Sequence, residues 1–150
     1  MASGVSSEPL VVIIPVDGST HSEHAFDWYN TYLHKSGNKV VILHVYDAKI
    51  PTSQSHLETL NGIIAQDQTH VKVITDKYKK KMKDAKKSGE VNSVKGSPGE
   101  VIIKQAKEKN ASMIVMSSRG MGSLRRTILG SVSDYVIHHS DVPVMVVPKK

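Results

Sequence analysis

Apolar residues along the chain occur in short continuous runs separated by longer stretches of helical periodicity. The runs LVVIIPVD at 10–17 and KVVILHVYD at 39–47 are rich in β-branched residues. Such continuous runs are typical of strands buried on both faces of a parallel sheet. Later runs predict a weaker third strand at 90–96, a fourth at 111–118 and a fifth at 141–150.

The stretch STHSEHAFDWYNTYL at 19–33 has the pattern of an amphipathic helix. It opens with residues that cap helices, and Thr20 with Glu23 has the spacing of a capping box. One helical stripe is predicted to face the core. This stripe comprises Ala25, Trp28, Tyr29, Tyr32 and Leu33.

Three further helices complete the pattern: one ends near Lys87, one covers 97–110 after a serine–proline entry, and one covers 131–140. Strands that alternate with helices predict βαβ units and a parallel sheet. We therefore expect one α/β domain over residues 1–150, with residues 1–8 flexible. Its core would be a doubly wound, five-stranded parallel sheet with helices on both faces.

Composition narrows the possible functions. The chain has no cysteine, which excludes thiol catalysis, a disulfide framework and a thiolate metal site. It contains no apolar run of roughly 18 residues and begins without a signal-peptide core, so we expect a cytoplasmic protein that does not enter a membrane. Seven of its 20 basic residues fall in one helical segment, which favours a solvated helix face over a nucleic-acid site. These are Lys77, Lys79, Lys80, Lys81, Lys83, Lys86 and Lys87.

A long glycine- and arginine-rich connection, RGMGSLRRTILGS at 119–131, follows the fourth strand. Loops of this length inside a compact domain are usually functional or disordered. Ligands of open parallel sheets bind beyond the carboxyl ends of the strands, where the strand order switches. That rule points to Pro15, Val16 and Asp17 after the first strand and to 117–131 after the fourth, so we expect these segments to face each other.

The connection has the chemistry of a phosphate site. Gly120 allows close backbone approach, and Gly130 precedes a helix start with hydroxyls at Ser131 and Ser133. Backbone N–H groups and the helix dipole attract phosphate there. Asp17 suits a ribose hydroxyl or a water bound to Mg²⁺. Further positive charge comes from Arg119, Arg125 and Arg126.

The same residues can also be interpreted as purely structural, without a bound ligand. Gly120 and Gly122 would then be turn residues, and Gly130 with Ser131 a plain helix cap. The Walker pattern is absent because no lysine follows Gly130, and the first strand is followed by Gly18 alone rather than by a Rossmann fingerprint.

The segments IIPVDGS, VILHVYD and IVMSSRGMGSLRRTILGSVSDYVIHHSDVPVMVVP together resemble the universal stress protein family, from Leu10 to Pro148. The ATP-binding branch of that family has glycine, two residues, glycine, nine residues, then glycine with serine or threonine. Gly120 and Gly130–Ser131 match the second and third parts. Ser117 stands where the first glycine is expected, and its side chain would crowd the phosphates or hydrogen-bond to them.

The resemblance implies a Rossmann-like fold of the adenine nucleotide alpha hydrolase type and a ligand that is ATP, ADP or AMP. Adenine would lie near Val45, and Mg²⁺ bound to ATP would meet Asp17 through water. The family also implies a stress-response module that responds to nucleotide and forms a homodimer through the terminal strand at 142–147. The implied nucleotide-binding residues are Pro15, Val16, Asp17, Val45, Met116, Ser117, Ser118, Arg119, Gly120, Gly122, Gly130, Ser131, Val132 and Ser133.

Three other functions remain open at this stage. The chain could be an interaction module of the same fold that binds no nucleotide, which the serine at 117 favours. It could also be a slow ATPase, although the sequence identifies no base to orient water. A nucleic-acid-binding role for the lysine-rich helix is the third alternative.

Overall fold

The computed structural model describes residues 8–46, 57–118 and 130–148, and the side chains of these residues except 57–67. Strands and helices alternate along the described chain. They are β1 (Val11–Val16), α1 (Thr20–Tyr32), β2 (Lys39–Tyr46), α2 (Leu57–Asp84), β3 (Ser88–Lys95), α3 (Pro98–Glu108), β4 (Met113–Ser117), α4 (Ser131–His139) and β5 (Val144–Val147).

The five strands form one parallel sheet in the order β3-β2-β1-β4-β5. The chain first builds outward from β1 to β2 and β3, then returns to the other side of β1 for β4 and β5. The strand order therefore reverses between β1 and β4, whose pairing begins at Val12 and Met113. This topology confirms the expected doubly wound sheet.

Helices cover both faces of the sheet. On one face, α1 and α2 bury Phe26, Tyr29 and Tyr78 against the strands. On the other, α3 and α4 bury Ile102 and Val136. Side chains alternate along each strand between the two cores, and burying a large apolar side chain contributes about 1.5–3 kcal/mol. The continuous apolar runs in the sequence are explained by this two-sided burial.

The start and the buried face of α1 differ from the sequence prediction. Ser19, not Thr20, caps the helix, and its Oγ accepts a hydrogen bond of 3.1 Å from the Ser22 N–H. Phe26 is 1% exposed, whereas Tyr32, which was assigned to the inner stripe, is 68% exposed. The core-facing stripe is thus centred nearer the start of the helix than the apolar pattern suggests.

The lysine-rich helix α2 also departs from its prediction. It ends at Asp84 rather than near Lys87, because Lys86 adopts a left-handed conformation with φ of 53°. Two of its lysines face α1: the Lys81 ammonium lies 3.0 Å from carboxylates of both Glu23 and Asp27, and Lys77 pairs with Glu23. Hydrogen bonds from these lysines lower the pKa of Glu23. Part of the basic run is therefore used to hold α2 against α1.

The described helices differ from membrane-spanning helices. None of them combines the length and the apolar composition that crossing a bilayer requires. The 28 residues of α2 would be long enough, but the helix is rich in lysine.

Candidate functional site

A cavity of about 260 Å³ opens at the carboxyl edge of the sheet, where the strand order reverses. The carboxyl ends of β1, β2 and β4 form its floor, and the first turns of α3 and α4 form walls. Its lining consists of Pro15, Val16, Asp17, Ser22, Leu43, Val45, Pro98, Ile102, Met116, Ser117, Gly130, Ser131, Val132 and Ser133. The end of β1, the end of β4 and the start of α4 therefore line the same cavity, as the strand order predicts for these described residues.

One wall is the beginning of α4, which Gly130 caps in an extended conformation with φ of −65° and ψ of 158°. The Gly130 N–H donates to the Ser118 carbonyl at 2.8 Å, and the Gly130 carbonyl accepts from the Asp134 N–H at 3.0 Å. The amides that follow, at 131–133, have no acceptor within their helix, and glycine has no side chain to cap them. This wall therefore presents N–H groups and the positive end of a helix dipole to the cavity.

Ser133 has a role that differs from the one expected for it. Its side chain is buried, and its Oγ lies 3.1 Å from the Ser118 carbonyl and 3.0 Å from the Gly130 carbonyl. A hydroxyl that donates to backbone carbonyls ties the start of α4 to the end of β4. Ser133 thus contributes its backbone N–H to the wall while its hydroxyl proton is directed at the backbone.

Asp17 follows the carboxyl end of β1 and lines the same cavity. Its Oδ1 accepts a hydrogen bond from the Ser19 N–H at 2.9 Å and another from the Ser22 hydroxyl at 3.1 Å. The Asp17 N–H donates back to Ser22 Oγ at 3.3 Å. The turn between β1 and α1 therefore fixes the carboxylate in place beside the cavity.

The end of the cavity formed by β2 and α3 is apolar. Leu43 and Val45 come from β2, Pro98 is the first residue of α3, and Ile102 lies one turn further along that helix. Leu43 and Ile102 are almost completely buried. This end of the cavity suits a flat, weakly polar group, and the other end suits an anion.

His44 lies between Leu43 and Val45 in sequence, but its side chain lies on the other face of the sheet, which α1 and α2 cover. Its Nδ1 lies 3.2 Å from Ser93 Oγ on β3, and that hydroxyl lies 3.0 Å from Thr75 Oγ1 on α2. Burial lowers the pKa of His44, the nearby His70 adds to this effect, and Asp17 opposes it. His44 is therefore a hydrogen-bonded interior residue that links β2 to β3.

Ten of the fourteen residues that the resemblance implicates line this cavity. Ser118 lies beside it and accepts the Gly130 N–H. The expected contributions of Arg119, Gly120 and Gly122, and of Arg125 and Arg126, lie outside the described residues. Four lining residues were not predicted from the sequence. These are Ser22, Leu43, Pro98 and Ile102. Only Ser22 had a signal in the sequence, which is its spacing of three residues from the helix-capping Ser19.

Known proteins with similar sequences or folds align with most of this chain. Universal stress protein YxiE of Bacillus subtilis is 31% identical over 147 residues, which cover 91% of this chain and 97% of that protein. The structure of protein MJ0577 of Methanocaldococcus jannaschii superimposes with a TM-score of 0.79 at 29% identity, covering 94% of this chain and 96% of that one. An Arabidopsis thaliana universal stress protein family member, solved with AMP bound, shares the fold with a TM-score of 0.72 at 22% identity, covering 95% of this chain and 93% of its own.

The sequence model that describes the universal stress protein family matches residues 11–148. The match runs from the first residue of β1 to just past β5, so it includes every strand and helix of the fold. Together with a Rossmann-like sheet whose cavity lies at the β1/β4 switch point, it establishes the classification. This chain belongs to the universal stress protein family.

Proposed function

We propose that this universal stress protein binds an adenine nucleotide (ATP, ADP or AMP) in the cavity at the β1/β4 switch point. The observation that carries the proposal is the division of the cavity into two chemically different ends. An apolar slot beside Leu43 and Val45 suits the base, and the glycine-capped first turn of α4 suits phosphate.

A carboxylate in the same lining suits the ribose and the metal. Asp17 lies where a carboxylate could accept from a ribose hydroxyl or from a water on nucleotide-bound Mg²⁺. Among the described residues, no three His, Cys, Asp or Glu side chains are grouped so that they could hold a metal ion. A Mg²⁺ ion beside Asp17 would therefore take its other ligands from the nucleotide and from water.

The AMP bound to the Arabidopsis relative supports an adenine nucleotide as the ligand class. In our proposal, the backbone amides at 131–133 bind phosphate and Val45 lies beside adenine. The serine at 117 lines the cavity, and in the same proposal it lies close to the phosphates. We also assign Arg119, Gly120 and Gly122, which lie between β4 and α4 in sequence, to the phosphate site.

We propose that the protein is a homodimer that responds to bound nucleotide and is not a fast enzyme. The protein would be a cytoplasmic stress-response module that forms a homodimer along β5, using residues 142–147. This strand is at an edge of the described sheet, and Val144, Met145 and Val146 are only half-buried. Hydrolysis of bound ATP would be slow at most.

The direct test is to identify what the protein carries when it is purified without added nucleotide. Denatured protein should release adenine nucleotide at close to one molecule per chain, identified by chromatography and absorbance. Protein that releases none should still bind ATP or AMP in titration calorimetry. Failure of both measurements would contradict the proposal.

A second candidate, an interaction module that binds no nucleotide, is favoured by one observation. Ser117 is 9% exposed and lies in the cavity lining, so its Cβ and hydroxyl occupy space where the family pattern has glycine. Replacing Ser117→Gly tests this candidate. Nucleotide binding by the glycine variant but not by the natural protein would favour the second function.

A further inference from the structure

A glycine of α3 packs closely against a tyrosine of α4. Gly99, the second residue of α3, is buried. A Cβ added to it would lie 2.4 Å from Cδ1 and 2.9 Å from Cγ of Tyr135 on α4. Carbon atoms in ordinary contact are about 3.5–4.0 Å apart, so any side chain at 99 requires a displacement of about 1 Å.

The tyrosine ring has a second neighbour on its own helix. The His139 imidazole stacks on it, with centroids 3.9 Å apart and planes 18° apart. The His139 ring is itself fixed, because its Nδ1 lies 2.8 Å from the Tyr135 carbonyl, to which it donates. Tyr135 is thus in contact with both Gly99 and His139, and we refer to these three residues as the clamp.

The residues of this contact adjoin, along the chain, residues that line the cavity. Pro98, which precedes Gly99, lines the apolar end, and Val132 and Ser133, in the turn before Tyr135, line the anionic end. Any change in the α3–α4 separation at Gly99 therefore changes the distance between the two ends. Neither Gly99 nor Tyr135 is itself part of the lining.

We propose that Gly99 is a positioning residue that sets the distance between the base subsite and the phosphate subsite. This inference rests on the proposed nucleotide site and adds a determinant of its width. A nucleotide must reach both walls at once, so its affinity depends on their separation. Adenosine and pyrophosphate each engage mainly one wall, so their affinities depend on it much less.

The test compares three ligands on Gly99→Ala in titration calorimetry. ATP affinity should fall by about tenfold or more, because a displacement of about 1 Å spoils simultaneous binding at both ends. Adenosine and pyrophosphate should change by less than about threefold. Equal losses for all three ligands, or no loss for ATP, would overturn the proposal. Since alanine is intrinsically the better helix former, helix propensity alone predicts no loss.

A compensating variant separates positioning from general damage. In Gly99→Ala/Tyr135→Ala the ring is gone, so the new methyl group fits and ATP affinity should recover most of the loss. An affinity that stays at the Gly99→Ala level would contradict the clamp.

A measurement without ligand keeps this inference distinct from the proposed function. Backbone amide resonances of residues 131–133 should shift in Gly99→Ala and return towards their original positions in the double variant. If the natural protein binds no adenine nucleotide, the proposed function fails, while these shifts still show whether the clamp positions the wall. Resonances that do not move in Gly99→Ala would refute the clamp.

Discussion

At the scale of the residue, Gly130 combines two properties that substitution can separate. It caps α4, and it leaves the amides of the following turn available to a ligand. Its φ of −65° is accessible to every residue, so no strain follows from adding a side chain. Aspartate is among the best N-cap residues and is better than glycine by a few tenths of a kcal/mol.

We predict that Gly130→Asp abolishes ATP binding in a folded protein. The new carboxylate would hydrogen-bond to the amides that otherwise meet phosphate and would repel the phosphate. At about 4 Å and an effective dielectric near 20 the repulsion is about 4 kcal/mol, or roughly a thousandfold in affinity. Titration calorimetry measures the affinity, and urea unfolding measures stability, which should be unchanged or slightly raised.

Gly130→Asn is the matched control, because asparagine caps equally well without a charge. Its affinity for ATP should lie between those of the natural protein and the aspartate variant. If ATP binds equally to all three proteins, Gly130 is a plain helix cap and the phosphate site lies elsewhere.

Asp17 also combines a structural role with a proposed ligand role. Asp17→Asn retains an oxygen that can accept from Ser19 and Ser22, so the turn should survive while the negative charge is lost. We expect about a tenfold lower affinity for ATP with Mg²⁺ and a smaller loss without it. Calorimetry at matched ionic strength with and without Mg²⁺ checks this, and identical losses would exclude the metal-linked role.

Asp17→Ala gives the complementary result. It removes the acceptor for the Ser19 N–H and the Ser22 hydroxyl, which are partly buried. The free energy of unfolding should fall by about 1–3 kcal/mol in urea titrations. Unchanged stability would show that the turn does not need this carboxylate.

A site residue could be predicted from the sequence where it directly follows a predicted strand or directly precedes a predicted helix. Asp17 ends an apolar strand and Gly130 precedes a helix, so the switch-point rule placed both at the same edge. Leu43 was indistinguishable from other core residues of β2. Ile102 reaches the cavity only because α3 packs beside α4, and that placement has no local sequence signal.

At the scale of the element, strand interiors were more predictable than helix starts. Each continuous apolar run contains a strand, because a strand buried on both faces leaves no polar positions. The start of α1 was placed one residue late, since Ser19 and Thr20 are both good cap residues and only the hydrogen bond to the Ser22 N–H distinguishes them. Phe26 was missed because Trp28 and Tyr32 form an equally regular stripe, while the aromatic ring of Phe26 packs on Tyr78 of α2.

His44, which links β2 through Ser93 to α2, is expected to make the stability of the protein depend on pH. Burial lowers the pKa of His44, so the folded protein binds fewer protons than the unfolded chain near the ordinary histidine pKa of about 6.5. The stability contributed by neutral His44 is therefore present above that pH and lost as pH falls below it. Urea unfolding should show a lower free energy of unfolding at about pH 5 than at about pH 7.5.

His44→Gln tests the assignment, since glutamine can hydrogen-bond to Ser93 without titrating. The dependence on pH should become shallower but should not vanish, because burial and Lys87 also lower the pKa of His34. A slope identical to that of the natural protein would show that His44 does not supply the effect.

At the scale of the whole molecule, β5 is the element through which two copies could join. The Ile114 N–H donates to the Pro143 carbonyl, and Ile114 pairs with Val144. In a parallel ladder this register directs the N–H of Met145 towards β4 and that of Val146 away from the sheet. Val146 therefore carries a donor that a partner strand would use.

We predict that Val146→Pro converts a dimer to a monomer while the domain stays folded. Proline removes the outward N–H and places its ring at the edge, where sheets tolerate it. Multi-angle light scattering measures the mass, and circular dichroism checks the fold. Val146→Ala, which keeps the N–H, should remain dimeric. A natural protein that is already monomeric, or a proline variant that stays dimeric, would contradict assembly through this edge.

The measurement that tests the central claim most directly is an NMR titration of the natural protein with ATP. If the nucleotide binds at the β1/β4 switch point, saturable shifts should appear at the amides of Ser131, Val132 and Ser133, and at Asp17 and Val45. The lysines of α2 would attract ATP by charge alone. Shifts confined to that helix would therefore contradict the account, and so would the absence of any saturable shift.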